Sequence, residues 1–188
     1  MDKEMELEDN VLVEQCLNGD LRKFRILVER YKKLTYYFAL GMVGNSEDAY
    51  DLSQEAFVKA YRALPRFDKK HTFKSWLFTI LSNLCKNALR SSAIRQKYIC
   101  SEKALATGSA VSTADPEKSY ITNEVKKAVW DALANLDEDD KEIIILKHFQ
   151  DMSYKEISEV LNIPFGSVMS RLYYARVKLK KALGSVLE

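Results

Sequence analysis

Glycine and proline are scarce in this chain, at 6 and 3 of 188 residues. So few turn-formers cannot serve the many reversals of an all-β protein, and a mainly helical chain is expected. No run approaches the ~18 consecutive apolar residues that a membrane-crossing helix needs. The opening stretch MDKEMELEDN is acidic and has no hydrophobic centre, unlike a secretory signal. The expected location is the cytoplasm. Cysteine is limited to Cys16, Cys85 and Cys100. An odd set without a CxxC pair argues against a disulfide framework and for buried free thiols. The two histidines, His71 and His148, lie far from each other and from cysteine in sequence, so metal-ligand spacing is missing. Neither a phosphate loop nor a nucleophile–base set is present. These absences lead us to expect no cofactor, no metal and no enzymatic activity.

What the chain does have is an uneven distribution of charge. Its net charge is only +2, yet residues 1 to 20 carry seven acids against Lys3 alone, and residues 61 to 100 carry nine bases against Asp68 alone. Asp137, Glu138, Asp139 and Asp140 form a second acidic cluster, and Arg171, Arg176, Lys178, Lys180 and Lys181 turn the C-terminal part basic again. Two basic segments separated by acidic ones suit two separate contacts with a polyanion. Solvated helical faces would give the same pattern.

Apolar spacing predicts a helix over 20 to 43, with Asp20 as N-cap, broken at Gly44-Asn45. A second helix, capped by Ser46, runs to about Leu64, where Pro65 ends it. Its buried stripe is Ala49, Leu52, Ala56, Ala60 and Ala63, widened by Phe57 and Tyr61. The basic loop Arg66 to His71 follows, then a third helix capped by Thr72 with Phe73, Trp76, Leu77, Ile80, Leu81 and Leu84 apolar. Residues 98 to 117, rich in Ser, Ala and Thr, read as a flexible linker between an N-terminal unit over 10–97 and a C-terminal one over 118–186. Further helices are expected from Pro116 to Leu136 and from 138 to 149. The fold class is all-α, in two helical domains.

The segment beginning at Ser153 is the most specific. Ser153 and Glu156 form a capping box at a helix start. Asn162-Ile163-Pro164 makes a tight turn, and a second helix runs from about Pro164 to Leu183 with Val168, Leu172, Ala175, Leu179 and Ala182 buried. Two helices joined this way describe a helix-turn-helix. Its second helix would expose Ser167, Ser170, Tyr173 and Tyr174, flanked by Arg171 and Arg176. Short hydrogen-bonding groups with phosphate-binding cations are what a major-groove helix requires. Lys178 to Lys181 would add backbone contact. Val177 is the apolar exception among these exposed positions. An ordinary amphipathic helical hairpin is the competing description.

Two earlier stretches complete a pattern. SEDAYDLSQEAFVKAYRALPRF, from Ser46, and FKSWLFTILSNLCKNALR, from Phe73, resemble the paired signatures of sigma domain two. YKEISEVLNIPFGSVMSRLYYARVKL, from Tyr154, resembles sigma domain four. Their order and spacing are similar to the extracytoplasmic-function group of the sigma-70 family, which lacks a third intervening domain. The resemblance covers about Val11 to Leu183. It implies an alternative sigma factor that binds core RNA polymerase, directs promoter-specific initiation with strand melting, and is held inactive by an anti-sigma factor. Asp48, Asp51, Gln54 and Glu55 would then dock on the polymerase. Arg66, Lys69, Lys70 and His71 in the loop, with Ser75, Thr79, Ser82, Asn83, Lys86, Asn87 and Arg90 on the helix, would meet the downstream promoter element as it melts. Phe67, His71 and Phe73 are stacking candidates, though Phe73 and Trp76 also fall on the apolar stripe. Ser167, Ser170, Arg171, Tyr173, Tyr174, Arg176 and Lys178 would read the upstream element. The chain departs from the family at Lys86, Asn87, Met169 and Tyr174, all on DNA-facing positions.

Three alternatives fit less of the chain. A duplex-only regulator explains the helix-turn-helix but not the aromatic, basic stretch at 66 to 95. A nucleic-acid-modifying enzyme lacks its catalytic constellation. A helical adaptor that binds only protein leaves the basic positions without a role.

Overall fold

The computed structural model describes the backbone of residues 7–102 and 120–187, and the side chains of those outside 95–126 and 185–188. Among the described residues there is no strand. The helices are α1 (Asp9–Leu17), α2 (Arg22–Val43), α3 (Ser46–Ala63), a 3₁₀ turn (Leu64–Arg66), α4 (Phe73–Glu102), α5 (Tyr120–Ala134), α6 (Glu138–Ile144) continuing as a π-helical turn (Ile145–Phe149), α7 (Tyr154–Leu161) and α8 (Phe165–Leu187).

The local rules set most boundaries. Gly44 ends α2 in the left-handed region at φ 72°, and its N–H donates to Leu40 O at 2.8 Å. The cap of α3 is Asn45 rather than Ser46: its side-chain oxygen accepts from the amides of Glu47 and Asp48 at 2.8 and 3.1 Å. Asp20 likewise does not cap α2. The N-cap position is Leu21, and the Asp20 carboxylate accepts from the Arg22 guanidinium instead, at 3.0 Å. Helix α1 is absent from the expectations above because its acids hide a short apolar face of Leu12, Val13 and Cys16. Asp9 anchors it by accepting from Arg30 and from the Tyr31 hydroxyl. Helix α4 continues to Glu102, taking in the first five residues of the expected linker. The rest of the expected linker, 103–117, lies outside the described residues.

Helices α1 to α4 enclose an aromatic core. Phe73 has no exposure, and its ring centroid lies 5.7 Å from that of Tyr31, 5.8 Å from Trp76 and 6.2 Å from Phe67. Phe67 is itself buried. Both phenylalanines therefore belong to the core, and of the three stacking candidates only His71 is exposed. Cys16 and Cys85 are free, buried thiols. Burial and, second, the nearby Glu142 charge push the Cys85 thiol up to about 12, leaving it inert at neutral pH.

Helices α5 to α8 bury Ala128, Ala132, Leu133, Ile143 to Leu146, Ile157, Val160, Val168, Leu172 and Ala175. This second cluster is continuous with the first. Helix α7 packs on α4, while α2 meets α5, α6 and the π turn. Gly41 makes the closest approach possible. A Cβ there would stand 2.6 Å from Ile145 Cδ1 and 3.1 Å from a ring carbon of Trp130.

Removing a ring from the aromatic cluster leaves a cavity that its rigid neighbours cannot fill. Phe73→Ala should destabilise the protein by about 3–5 kcal/mol in urea titration. Val58→Ala, on the solvent face of α3, should change stability by under ~0.5 kcal/mol.

Candidate nucleic-acid interface

Three surfaces hold the residues singled out in the sequence. The first is the outer face of α3, where Asp48, Asp51, Gln54 and Glu55 are all exposed. Helical spacing puts them opposite the buried Ala49, Leu52, Ala56 and Ala60. Glu55 shares its charge with Lys59 at 2.9 Å, one turn on. Asp48 also sits in the first turn, where the helix dipole favours an acid.

The second surface is the loop before α4 and the polar side of that helix. Arg66, Lys69, Lys70 and His71 are exposed. Lys69 pairs with Glu14, and Lys70 lies 4.0 Å from Asp68. Thr72 caps α4 as expected, its hydroxyl accepting from the Ser75 amide at 3.0 Å. Beyond the cap the polar face divides. Asn83, Asn87 and Arg90 face solvent, whereas Ser75 and Ser82 are buried and Thr79 and Lys86 are half-buried. The C-terminal unit covers this part. The Ser75 hydroxyl donates to Glu159 at 2.7 Å, and Glu159 also lies 3.2 Å from His71 Nδ1. The Ser82 hydroxyl donates to Glu142, whose other oxygen is 2.7 Å from Lys86 Nζ. Thr72 meets Glu156 at 3.3 Å, and Lys74 donates to the Gln150 carbonyl at 2.6 Å.

Sequence reasoning missed Glu142 and Glu159, and read Glu156 only as a cap. One signal was available for Glu142, which directly precedes the apolar run Ile143-Ile144-Ile145-Leu146.

The third surface is α8 and the turn before it. The capping box forms as expected: the Ser153 side chain accepts from the Glu156 amide, and the Glu156 carboxylate accepts from the Ser153 amide at 2.9 Å and from its hydroxyl at 2.8 Å. Asn162 takes the left-handed conformation at φ 50° that ends α7, and the Ser158 hydroxyl donates to Ile163 O at 2.6 Å, tightening the turn. Val168, Leu172 and Ala175 then face inward, which turns Ser170, Arg171, Tyr173, Tyr174 and Arg176 to solvent. Ser167 is half-buried. Tyr173 and Tyr174 are each over 60% exposed, an unusual state for paired aromatic rings. Val177 is exposed beside them. Arg176 Nε donates to His148 at 3.1 Å. Burial, reinforced by Arg176 and Lys147, holds His148 below its ordinary value, so it is neutral and able to accept that bond at pH 7. Lys178 is exposed but bridges Asp137 and Asp140, whose hydrogen bonds raise its pKa.

Among the described residues, an all-helical arrangement with a capped helix-turn-helix and a solvent-facing aromatic and cationic second helix has the features of a DNA-binding protein. Comparison with known proteins refines the class. Residues 27–94 match the family described as Sigma-70 region 2, and 126–179 match Sigma-70, region 4. The chain is 33% identical to the RNA polymerase sigma-H factor of Pseudomonas aeruginosa over 185 residues, covering 96% of each. It is also 33% identical to the ECF RNA polymerase sigma-E factor of Haemophilus influenzae, across 95% of this chain and 96% of that one. The solved structure of CnrH in complex with the cytosolic domain of CnrY superimposes with a TM-score of 0.72 at 26% identity, over 94% of this chain and 97% of that one. The chain belongs to the extracytoplasmic-function group of the sigma-70 family. Members of this family join core RNA polymerase and direct initiation at promoters. No helix among the described residues is long and apolar enough to cross a membrane.

The capping box gives the C-terminal unit a pH dependence. Partial burial works against the Glu156 charge, but the hydrogen bonds from Ser153, with Lys74 and Thr72 nearby, outweigh it and hold the carboxyl below its ordinary 4.5. A carboxyl held low when folded stabilises above its unfolded pKa, and that contribution is lost as pH falls through the folded value. Ser153→Ala should therefore cost about 1 kcal/mol at pH 7. The difference from wild type should shrink as denaturant titrations are taken below pH 4.5.

Proposed function

We propose that this chain uses the three surfaces for three contacts of one initiation event. The acidic face of α3 (Asp48, Asp51, Gln54 and Glu55) docks on core RNA polymerase. The Arg66 to Thr72 loop and the polar side of α4 capture the non-template strand of the downstream element as it separates. Helix α8 reads the upstream element as duplex, with Ser167, Ser170, Tyr173 and Tyr174 toward bases and Arg171, Arg176 and Lys178 toward phosphates. The observation that carries the reading is α8: buried residues on one side leave Ser170, Arg171, Tyr173 and Tyr174 exposed at the end of a helix-turn-helix.

The physical division of labour supports it. A duplex presents groove edges, which short hydroxyls and arginines can meet. An unpaired strand presents base faces and Watson–Crick edges. Stacking contributes roughly 1–3 kcal/mol per base at such sites, comparable to the few kcal/mol that extruding a base costs. Strand capture thus biases opening without chemistry. In this reading the chain is not an enzyme, catalysis belongs to the polymerase, and the protein acts in the cytoplasm under the control of an anti-sigma factor. The solved complex of CnrH with the cytosolic domain of CnrY is in keeping with such a partner.

Run-off transcription with core polymerase on a promoter library, read by sequencing transcript starts, tests the whole assignment. Absence of promoter-specific starts would refute it. Reversing the charges of Asp48, Asp51 and Glu55 together should weaken polymerase association at least tenfold while circular dichroism stays unchanged. Unaltered affinity at moderate salt would remove the docking role.

On α8 two kinds of effect should separate. Arg171→Ala should weaken all duplexes alike and reduce the slope of log K against log salt by about one. Ser170→Ala or Tyr174→Ala should instead change which sequence is preferred in a selection experiment. Uniform weakening by all three would mean that α8 binds DNA without reading it.

A further inference from the structure

Helix α8 carries an apolar stripe that its own packing does not use. Phe165, Met169, Tyr173 and Val177 follow one another at intervals of four, and each is more than half exposed. Side chains four apart lie along one line of a helix. A contiguous exposed apolar line marks a surface that a partner covers. What borders the line says which partner. Going round the helix at about 100° per residue, Arg176 stands on one edge of the buried side and Arg171 on the other, both exposed. The whole solvent-facing arc therefore lies between two cations. That arrangement fits a helix laid in the major groove of a duplex, with a phosphate strand on either side.

The side chains within that arc decide what can be read. Guanine is distinguished by paired donors from Arg or Lys, adenine by Asn or Gln, and cytosine by Asp or Glu. Between Phe165 and Val177 there is no Lys, Asn, Gln, Asp or Glu. Both arginines sit at the margins, and Arg176 is held there by His148 at 3.1 Å. The Ser170 hydroxyl donates to the Ser167 carbonyl at 3.1 Å. It is left as an acceptor, which the amino groups of adenine and cytosine serve equally. What remains is apolar, and the apolar group on the major-groove edge is the thymine methyl. Phe165 opens the helix close to its buried side, and Val177 lies beyond the third turn. Met169 and Tyr173 stand between them. The Tyr173 ring is braced by Tyr174, with centroids 5.4 Å apart at 77°. We propose that Met169 and Tyr173 each cover a thymine methyl in the upstream element. They are one helical turn apart, about 5.4 Å, against ~3.4 Å per base pair. The two thymines therefore fall in adjacent or next-but-one base pairs. This deepens the function proposed above and rests on its reading of α8 as the duplex-reading helix.

Deoxyuridine tests the contact directly, because it lacks only the methyl group and keeps the pairing and the O4 acceptor of thymine. Promoters randomised across the upstream element should first be selected with holoenzyme assembled from the full chain and core RNA polymerase. Each thymine of the selected element is then replaced by deoxyuridine and the affinity of the holoenzyme measured. Burying one methyl corresponds to about a fourfold change in affinity. Two replacements should each weaken wild-type binding about fourfold, and together about fifteenfold. Met169→Ala should abolish the sensitivity at one of these positions and Tyr173→Ala at the other. Both side chains are exposed, so neither variant removes core packing. Arg171→Ala should weaken the thymine and deoxyuridine promoters alike and leave their ratio unchanged. If selection yields a preferred element but no replacement costs more than twofold, methyl reading is overturned while α8 keeps its role. If selection yields no preferred upstream sequence, the reading of α8 itself fails, and the methyl contact with it. Loss of holoenzyme assembly in Met169→Ala, with both methyl sensitivities intact, would assign the stripe to the polymerase and overturn the proposal as well.

Discussion

Helix α4 has one circumference and three demands on it. Its apolar side must close the aromatic core with Phe73, Leu77, Phe78 and Leu81. Its polar side must accept the C-terminal unit, and the end of that same side carries Asn83, Asn87 and Arg90 into solvent. A helix repeats every 3.6 residues, so a face that is committed to one partner cannot also serve another at the same level along the axis. The rest of the arrangement follows. The N-terminal helices gather around the aromatic side, and the basic loop is fixed at the helix start by the Thr72 cap. The C-terminal unit can reach the polar side only by bringing hydrogen-bonding groups with it.

That last requirement explains why the contact between units looks unlike a core. Transferring Ser75, Ser82 and Lys86 out of water costs free energy unless each finds a partner. Glu142, Glu159 and the Gln150 carbonyl supply partners at this contact for Ser82 and Lys86, for Ser75 and for the neighbouring Lys74. Breaking such a buried pair by removing one member is costly, about 3–5 kcal/mol, because the other charge stays behind. A contact built this way is specific, because each buried polar group has its own partner, a demand that apolar packing around Gly41 does not make.

The helix-turn-helix depends on a different economy. Ser153, Glu156 and Asn162 settle the ends of α7 through bonds spanning only a few residues, and Val168, Leu172 and Ala175 fix the rotation of α8. Nothing distant is needed to aim Ser170, Tyr173 and Tyr174 outward. The same local logic makes the acidic face of α3 readable, since its buried alanines and Leu52 leave Asp48, Asp51, Gln54 and Glu55 one side only.

The sequence by itself determined the all-helical class, the Gly44 break, the Thr72 cap, the capping box and the outward face of α8. Each rests on interactions within about a turn of the chain or on simple periodicity. It misplaced the caps at Asp20 and Ser46 by one residue, because the Asp20 carboxylate is taken by Arg22 and Asn45 reaches the amides of α3 ahead of Ser46. It also passed over α1, whose apolar face is only three residues. Only the tertiary structure decided that Phe67 belongs to the core, that Lys178 answers Asp137 and Asp140, and that Glu142 meets Lys86 and Ser82. The Lys178 and Glu142 contacts join positions dozens of residues apart, where periodicity carries no information about who faces whom, and an acid read locally as solvated becomes, once two helices are packed, the buried partner of a lysine.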